Sequence, residues 1–143
     1  MFGVKPNKQL EKLINHLLSL NLSVDMIFLT GDVSQDMSPE SYQYAATQLS
    51  RFKKVTFWIP GNHDDFQTML TELNKSYFLQ PAAVLKKPTQ TFIFLNTKYK
   101  EVDSGYFNKE DKRLIEETMA SARRDENVCI VMHHHPVKTN TPL

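Results

Sequence analysis

The sequence predicts an α/β fold in which helices alternate with the strands of a largely parallel sheet. Three observations support this prediction: short continuous apolar runs, amphipathic segments between them, and polar clusters directly after the runs. Continuous apolar runs of this length are typical of strands that are buried on both faces, as in parallel sheets. Strands that alternate with helical segments indicate βαβ units. We see no boundary that divides residues 1–143, and we therefore expect one domain.

Four helices are expected between the apolar runs. The first begins at a cap formed by Asn7, and the second begins at Ser38, with a proline at the first helical position. The third covers residues 65–73, and the fourth covers residues 108–123 with Leu114, Ile115 and Met119 on its inward face.

The apolar runs predict four strands, at residues 26–29, 55–59, 92–95 and 128–132. The single cysteine, Cys129, lies in the last run, and we expect it to be a small core residue. Residues 75–91 contain two prolines and predict an irregular connection.

Composition restricts the functional class. Hydrophobic residues make up 41% and charged residues 23% of the 143 residues, as in soluble globular proteins. The formal net charge of +1 argues against nucleic acid or an anionic membrane as the partner. No apolar stretch approaches the roughly 20 residues of a membrane span, and residues 1–9 lack the apolar core of a signal peptide. We expect a cytoplasmic protein, and the oligomeric state stays open.

Polar clusters follow three of the predicted strands. They are Gly31-Asp32, Gly61-Asn62-His63-Asp64 and His133-His134-His135. In open parallel sheets, ligands bind just beyond the carboxyl ends of the strands. We therefore expect these side chains to meet at one edge of a single sheet. Carboxylate, amide and imidazole groups without a thiolate suit Mn²⁺, Fe, Zn²⁺ or Co²⁺.

Each cluster also has a simpler interpretation. Gly-Asp after a strand is common turn chemistry, and three adjacent histidines could form a solvated surface patch. The Gly-Asn-His-Asp tetrad is more specific, because neither a tight turn nor a helix cap needs the Asn-His pair. The three clusters in this order favour a metal site over coincidence.

These motifs resemble those of the calcineurin-like metallophosphoesterases, and most closely the bacterial cyclic AMP phosphodiesterase branch. The resemblance covers nearly the whole chain and rests on Gly31-Asp32-Val33-Ser34-Gln35-Asp36, Trp58-Ile59-Pro60-Gly61-Asn62-His63-Asp64 and His133-His134-His135-Pro136. It implies a β-sandwich flanked by helices, two divalent metal ions (Fe, Mn, Zn or Co) and a small-molecule phosphodiester substrate. For cyclic AMP, the product would be 5′-AMP.

The resemblance also implies roles for individual residues. Asp32 would bridge the two metal ions, and Asn62 and His133 would bind the second of them. His63 would not bind metal but would protonate or stabilise the leaving oxygen. Asp32, Asn62 and His63 would also contact the substrate. The roles of His134 and His135 stay open.

Two residues are candidates for orienting the His63 ring. Gln35 occupies a position where many family members carry an acidic or amide residue, and it could hold the ring by a neutral hydrogen bond. Asp64 could do so instead, or it could cap the helix that follows. We favour the cap for Asp64.

The sequence departs from the family pattern at both ends. It contains neither the Asp-x-His motif of the family's first strand nor the C-terminal Gly-His-x-His motif, and His16 lies on an ordinary helix face. The remaining ligands would hold at most one ion firmly. We therefore expect a partial domain that lacks the first strand and the C-terminal part, with marginal stability and little or no activity. A truncated reading frame or a gene fragment would explain the pattern.

Two further functions stay open. The chain could be a non-catalytic relic or interaction module that keeps only the middle of the fold. It could also derive from a phosphoesterase that acts on another phosphodiester or on a phosphomonoester.

Overall fold

The computed structural model describes residues 5–81, 83–100 and 102–137. Within these ranges the chain forms an α/β structure with four helices and two small sheets, which is consistent with a partial metallophosphoesterase fold. None of the helices in these ranges is long and apolar enough to cross a membrane. The elements are α1 (Pro6–Ser19), β1 (Ile27–Leu29), α2 (Pro39–Ser50), β2 (Thr56–Trp58), α3 (Phe66–Leu73), β3 (Leu79–Pro81), β4 (Val84–Lys86), β5 (Gln90–Phe94), α4 (Lys109–Ser121) and β6 (Asn127–Val131).

The strands form two three-stranded sheets. The single sheet expected from the apolar runs was therefore wrong, whereas two sheets agree with the β-sandwich that the family resemblance implied. The first has the order β1-β2-β3 and is wholly parallel. The second has the order β4-β5-β6, with β4 antiparallel and β6 parallel to β5. Aromatic rings pack between the facing surfaces of the two sheets. The ring centroid of Phe28 lies 5.0 Å from those of Phe92 and Phe94, and the ring centroid of Phe57 lies 5.8 Å from that of Phe94. These contacts pack the two sheets against each other.

The main hydrophobic core lies between the first sheet and helices α1, α2 and α3. Because successive strand residues point to opposite faces, Phe57 faces the second sheet while Thr56 and Trp58 are buried on the other side of β2. Each fully buried large side chain stabilises the fold by roughly 1.5–3 kcal/mol. The buried members of the cluster are Ile14, Tyr42, Ala46, Leu49, Trp58, Met69, Leu73 and Leu79.

Three of the four helices begin with a side-chain cap. Ser38 caps α2 by accepting a hydrogen bond from the Ser41 N–H at 3.2 Å, at the predicted position. Asp65 caps α3 by accepting from the Thr68 N–H at 2.8 Å. Asn108 caps α4 within a reciprocal capping box.

Helix α1 starts differently from the prediction. It follows Lys5, which makes no side-chain cap, and Pro6 occupies the first helical position. The predicted cap at Asn7 is therefore wrong, because the proline ring already fixes a helical φ one residue earlier. His16 lies in the last turn of this helix.

Two strands lie where an irregular connection was expected. β3 and β4 are three residues each and fall within residues 75–91. Pro81 ends β3, which is the edge strand of the first sheet, where a missing N–H donor is tolerated. Because proline is rare within strands, the prolines at positions 81 and 88 favoured an irregular connection over strands.

Two residues expected in the core are exposed. Cys129 on β6 is exposed, and Met119 on α4 is 55% exposed. Strand β6 is at the edge of the second sheet, and its residues are half-buried or exposed within the described part of the chain. An apolar run indicates a fully buried strand only when both of its faces are covered.

A buried carboxylate, Asp64, joins the loops that follow β1 and β2. It is fully buried, and its Oδ1 accepts hydrogen bonds from the Val33 and Ser34 N–H groups, each at 3.0 Å. Its Oδ2 accepts from the Gly61 N–H at 2.9 Å, and the Tyr42 hydroxyl donates to Oδ1 at 3.3 Å. Burial, together with the nearby carboxylate, raises the pKa of Tyr42 above its usual range, so the hydroxyl stays a donor. The two loops therefore keep a fixed relation.

We predict that Asp64→Ala lowers the free energy of unfolding by about 3 kcal/mol or more, because it leaves three inward N–H groups without an acceptor. Tyr42→Phe is the matched control. It removes one donor but keeps the three N–H bonds, and it should cost about 1–2 kcal/mol. Urea denaturation followed by the fluorescence of Trp58, the single tryptophan, measures both values. Equal and small effects would contradict the central role of Asp64.

Candidate functional site

The loop after β1 positions Asp32 through two residues with left-handed backbone. Gly31 has φ +99° and Asp32 has φ +53°. A Cβ at Gly31 would lie 2.5 Å from the Gly61 nitrogen and 2.7 Å from His133 Nδ1, so only glycine fits. A non-glycine residue with this φ costs on the order of 1 kcal/mol. Such strain concentrates where a side chain must be held in a particular direction.

The turn after β2 brings Asn62 and His63 against the same loop. A Cβ at Gly61 would lie 2.5 Å from the Asp32 nitrogen and 2.8 Å from His133 Cε1. The His63 N–H donates to Asp32 Oδ1 at 3.2 Å. Glycine is needed here because the two loops touch.

The structure brings Asp32, Asn62 and His133 together. His133 Nε2 lies 2.9 Å from Asn62 Oδ1 and 3.4 Å from Asp32 Oδ1. Asp32 and Asn62 follow strands of the first sheet, whereas His133 follows β6 of the second. The three groups therefore meet at the common end of two facing sheets. The sequence had predicted instead that they would meet at one edge of a single sheet.

The hydrogen bonds of His133 direct a nitrogen lone pair at the other two residues. Its Nδ1 lies 2.9 Å from the Thr30 carbonyl oxygen. A carbonyl oxygen only accepts, so Nδ1 carries the proton and Nε2 of the neutral ring has the lone pair. That lone pair faces the Asp32 carboxylate and the Asn62 carbonyl oxygen. Three acceptors this close together require a cation between them, either a proton or a metal ion.

The donor set fits a divalent metal ion. Two ligands about 2.1 Å from one ion are about 3.0–3.4 Å apart in octahedral or tetrahedral coordination, which matches the 2.9 and 3.4 Å separations. The His133 and Asp32 side chains are 19% and 41% exposed, so the site is open to solvent. Across residues 5–81, 83–100 and 102–137, no group of three or more His, Cys, Asp or Glu side chains could hold a metal ion. The third donor in this site is an amide.

The His63 ring is held by Gln35, whose Nε2 lies 3.1 Å from His63 Nδ1. An amide N–H donating to Nδ1 leaves the proton of the neutral ring on Nε2. This is the neutral hydrogen bond that the sequence suggested for Gln35. Asp64 neither bonds this ring nor caps α3, so the cap favoured for it was wrong. Asp65 is the cap, and Asp64 turns inward to the backbone N–H groups.

Asp36 stabilises the loop just beyond Gln35. Its Oδ1 accepts hydrogen bonds from the Ser34 hydroxyl at 2.7 Å, the Ser41 hydroxyl at 2.9 Å and the Ser38 N–H at 3.1 Å. These bonds, led by the one from Ser34, hold the pKa of Asp36 well below its usual range. Asp36 therefore anchors the loop at the start of α2.

The other two histidines of the triplet are not beside the Asn62 and Asp32 oxygens. His134 Nδ1 lies 2.7 Å from the Thr97 hydroxyl, and its buried Nε2 has no hydrogen-bond partner among the described residues. Burial, followed by the nearby His133, lowers the pKa of His134, which favours the neutral ring. The ring packs edge-on against His133 at 4.9 Å between centroids, while His135 is exposed. His134 thus supports the His133 ring.

Three contacts of the site were missed by sequence reasoning. The Thr30 carbonyl fixes the His133 tautomer, the Asn62 Nδ2 donates to Asp103 Oδ1 at 3.2 Å, and the Lys98 ammonium donates to the Asp64 carbonyl oxygen. A backbone acceptor leaves no trace in the residue type. Asp103 and Lys98 lie in a loop without a motif, so no sequence signal could have identified them.

Several known proteins are similar to this chain over most of its length. The family model for calcineurin-like phosphoesterases matches residues 5–142. A "Probable cyclic nucleotide phosphodiesterase" of Coxiella burnetii is 33% identical over 126 residues, which are 88% of this chain and 50% of that protein. The 3′,5′-cyclic adenosine monophosphate phosphodiesterase CpdA of Vibrio vulnificus is 28% identical over 137 residues, 96% of this chain and 50% of the relative. The protein of the same name from Haemophilus influenzae is 29% identical over 142 residues, which are 99% of this chain and 51% of that protein.

The chain spans about half the length of the curated relatives that it matches. The family match, in contrast, covers nearly every residue of the chain, including all three polar clusters. The protein therefore belongs to the calcineurin-like phosphoesterase family of metal-dependent hydrolases.

Proposed function

We propose that this chain supplies part of a metal-dependent phosphodiesterase site that acts on a cyclic nucleotide such as cyclic AMP. The observation that carries the proposal is the position of His133 Nε2, which lies 2.9 Å from Asn62 Oδ1 and 3.4 Å from Asp32 Oδ1. The substrate class is supported by the relatives from Vibrio vulnificus and Haemophilus influenzae, which are named as cyclic AMP phosphodiesterases.

Asp32, Asn62 and His133 would hold a divalent ion, and this mixed oxygen and nitrogen set suits Mn, Fe, Zn or Co. The chemistry that such ions supply when bound is polarisation of a phosphoryl group and activation of a water molecule. Other residues of the chain orient the proposed ligands. Thr30 keeps the His133 lone pair directed at the site, and the backbone N–H of His63 holds the Asp32 carboxylate.

His63 would act on the leaving oxygen. Because Gln35 donates to Nδ1, the Nε2 of the neutral ring bears the proton and can donate to an oxygen of the phosphate. When the ring takes up a second proton, the Gln35 amide can rotate and accept from Nδ1–H, so one residue supports both protonation states.

The reaction on cyclic AMP balances with these groups. The oxygen of a water molecule bonds to phosphorus as the bond from phosphorus to the 3′ oxygen breaks. The protonated His63 ring gives its Nε2 proton to the 3′ oxygen, as general acids do in such displacements. The water molecule keeps one proton on the new phosphate oxygen and releases the other to solvent, from which His63 is protonated again. The product is 5′-AMP.

Metal binding is the direct test of the proposed ligands. We predict that the protein binds one Mn²⁺ per chain in isothermal titration calorimetry. Asp32→Ala and His133→Ala should each weaken binding by more than about 100-fold, since loss of a supporting residue alone costs 10–100-fold. His16→Ala, which changes a histidine on α1, is the control and should bind normally. Unchanged affinity in Asp32→Ala would refute the ligand assignment.

We expect hydrolysis of cyclic AMP by the 143-residue chain to stay near the uncatalysed rate, even with added Mn²⁺. The described residues supply three donors, which is enough for one ion, whereas a two-metal site needs about three protein ligands for each ion. Chromatography of 5′-AMP formed over hours measures the rate. Turnover that disappears in Asp32→Ala would overturn this expectation and show that one ion suffices.

The role of His63 can be tested by product binding. In the presence of Mn²⁺, we predict that 5′-AMP binds and that His63→Ala weakens its binding by about tenfold, because one charge-assisted hydrogen bond to the phosphate is lost. Affinity for Mn²⁺ should not change. Inorganic phosphate and adenosine serve as comparison ligands. Equal binding of 5′-AMP by both proteins would exclude His63 from the phosphate site.

A further inference from the structure

The loop between β5 and α4 crosses from the second sheet to the turn that carries Asn62. Lys98 donates through its ammonium group to the Asp64 carbonyl oxygen. Asp103 accepts a hydrogen bond from the Asn62 Nδ2 at 3.2 Å, although the two residues are 41 positions apart. The turn after β2 is thus contacted at two points by a loop that the family motifs do not include.

This loop is itself fixed to the end of β6. Thr97 is 1% exposed, and its hydroxyl lies 2.7 Å from His134 Nδ1. The Tyr106 N–H donates to the Thr97 carbonyl oxygen at 3.0 Å, which closes the loop. A Cβ at Gly105 would lie 2.6 Å from His134 Cβ and Cγ, so the backbone at this position rests directly on the histidine. Asp103 therefore extends from an anchored segment.

The orientation of the Asn62 amide decides whether it can serve as a metal ligand. An amide presents an oxygen acceptor at one end and two N–H donors at the other. If the amide rotated by half a turn, its Nδ2 would donate to the lone pair of His133 Nε2. The resulting hydrogen bond would occupy the nitrogen lone pair that an ion needs. Because this bond is favourable, it would stabilise the rotated, unproductive amide in the metal-free protein.

We propose that Asp103 is a positioning residue that prevents this rotation. Its carboxylate accepts only, so it attracts Nδ2 and repels Oδ1 of Asn62. The Asn62 oxygen is thereby turned towards His133 Nε2, 2.9 Å away, before any ion arrives. Pre-orientation of this kind raises affinity because the ion does not have to displace a competing hydrogen bond. The inference rests on the proposed function, since it concerns the same ligand.

A simpler explanation of any effect of Asp103 is its charge, because an extra carboxylate near the site attracts cations by itself. Asp103→Asn separates the two explanations. It removes the charge but keeps a carbonyl oxygen that can accept from Asn62 Nδ2. Asp103→Ala removes both, and Ser104→Ala changes the neighbouring exposed residue as a control.

The experiment combines two measurements on these three variants. Mn²⁺ affinity is measured by calorimetry, and the side-chain amide resonances of Asn62 are recorded by NMR in the metal-free protein. We expect Asp103→Ala to weaken Mn²⁺ binding by about tenfold and to shift the Asn62 amide resonances, with an unchanged melting temperature. Asp103→Asn and Ser104→Ala should resemble the original protein in both measurements.

Two results would overturn the inference. Asp103→Ala could leave both the affinity and the amide resonances unchanged, in which case the hydrogen bond has no positioning role. Asp103→Asn could weaken binding as much as Asp103→Ala, in which case charge alone acts. If the original protein bound no Mn²⁺, the proposed function would fail. The metal-free amide spectra would still decide whether Asp103 orients Asn62.

Discussion

The arrangement of the site depends on the buried carboxylate of Asp64. Loop N–H groups at the end of a strand usually turn to water, but here three of them, from Val33, Ser34 and Gly61, are directed at one side chain. A single charge that collects donors from two loops prevents either loop from shifting alone. The candidate ligands Asp32, Asn62 and His133 need no contact with Asp64 themselves. They take their positions from the backbone that it holds.

Close approach of backbone is the second constraint. Gly31 and Gly61 allow the loops after β1 and β2 to touch, and the His133 ring fills the space beside them. A side chain at either glycine would separate the loops and move the acceptor atoms apart. The strained φ of Asp32 belongs to the same arrangement, because it turns the carboxylate back towards the contact. The steric and electrostatic requirements are thus met by the same few residues.

The local features of the fold could be predicted from the sequence, and the tertiary ones only in part. The start of α2 at Ser38 followed from cap chemistry, and strands β1 and β2 followed from continuous apolar runs. Apolar runs alone could not give the division into two sheets, because a run reports burial and not which strand lies beside it. Only the family resemblance, which implies a β-sandwich, indicated two sheets. Strands β3 and β4 were missed because Pro81 and Pro88 favoured an irregular connection.

The same distinction applies to the site. Asp32, Asn62 and His133 could be named as candidates because each lies shortly after an apolar run, where ligands bind in parallel sheets, and belongs to a motif of the family. The contact between Asp103 and Asn62 joins two loops across 41 residues and depends on how the sheets face each other. Local sequence patterns do not predict a contact between residues so far apart along the chain. The burial of Asp64 could not be predicted either, because an aspartate before a helix usually caps that helix.

The Thr30 carbonyl that accepts from His133 Nδ1 has a consequence for how this site can change. The acceptor is a main-chain atom, so no substitution at position 30 removes it. In the proposed metal site the nitrogen donor is thus oriented by the main chain. Its direction changes only if the histidine itself is replaced or the path of the loop changes.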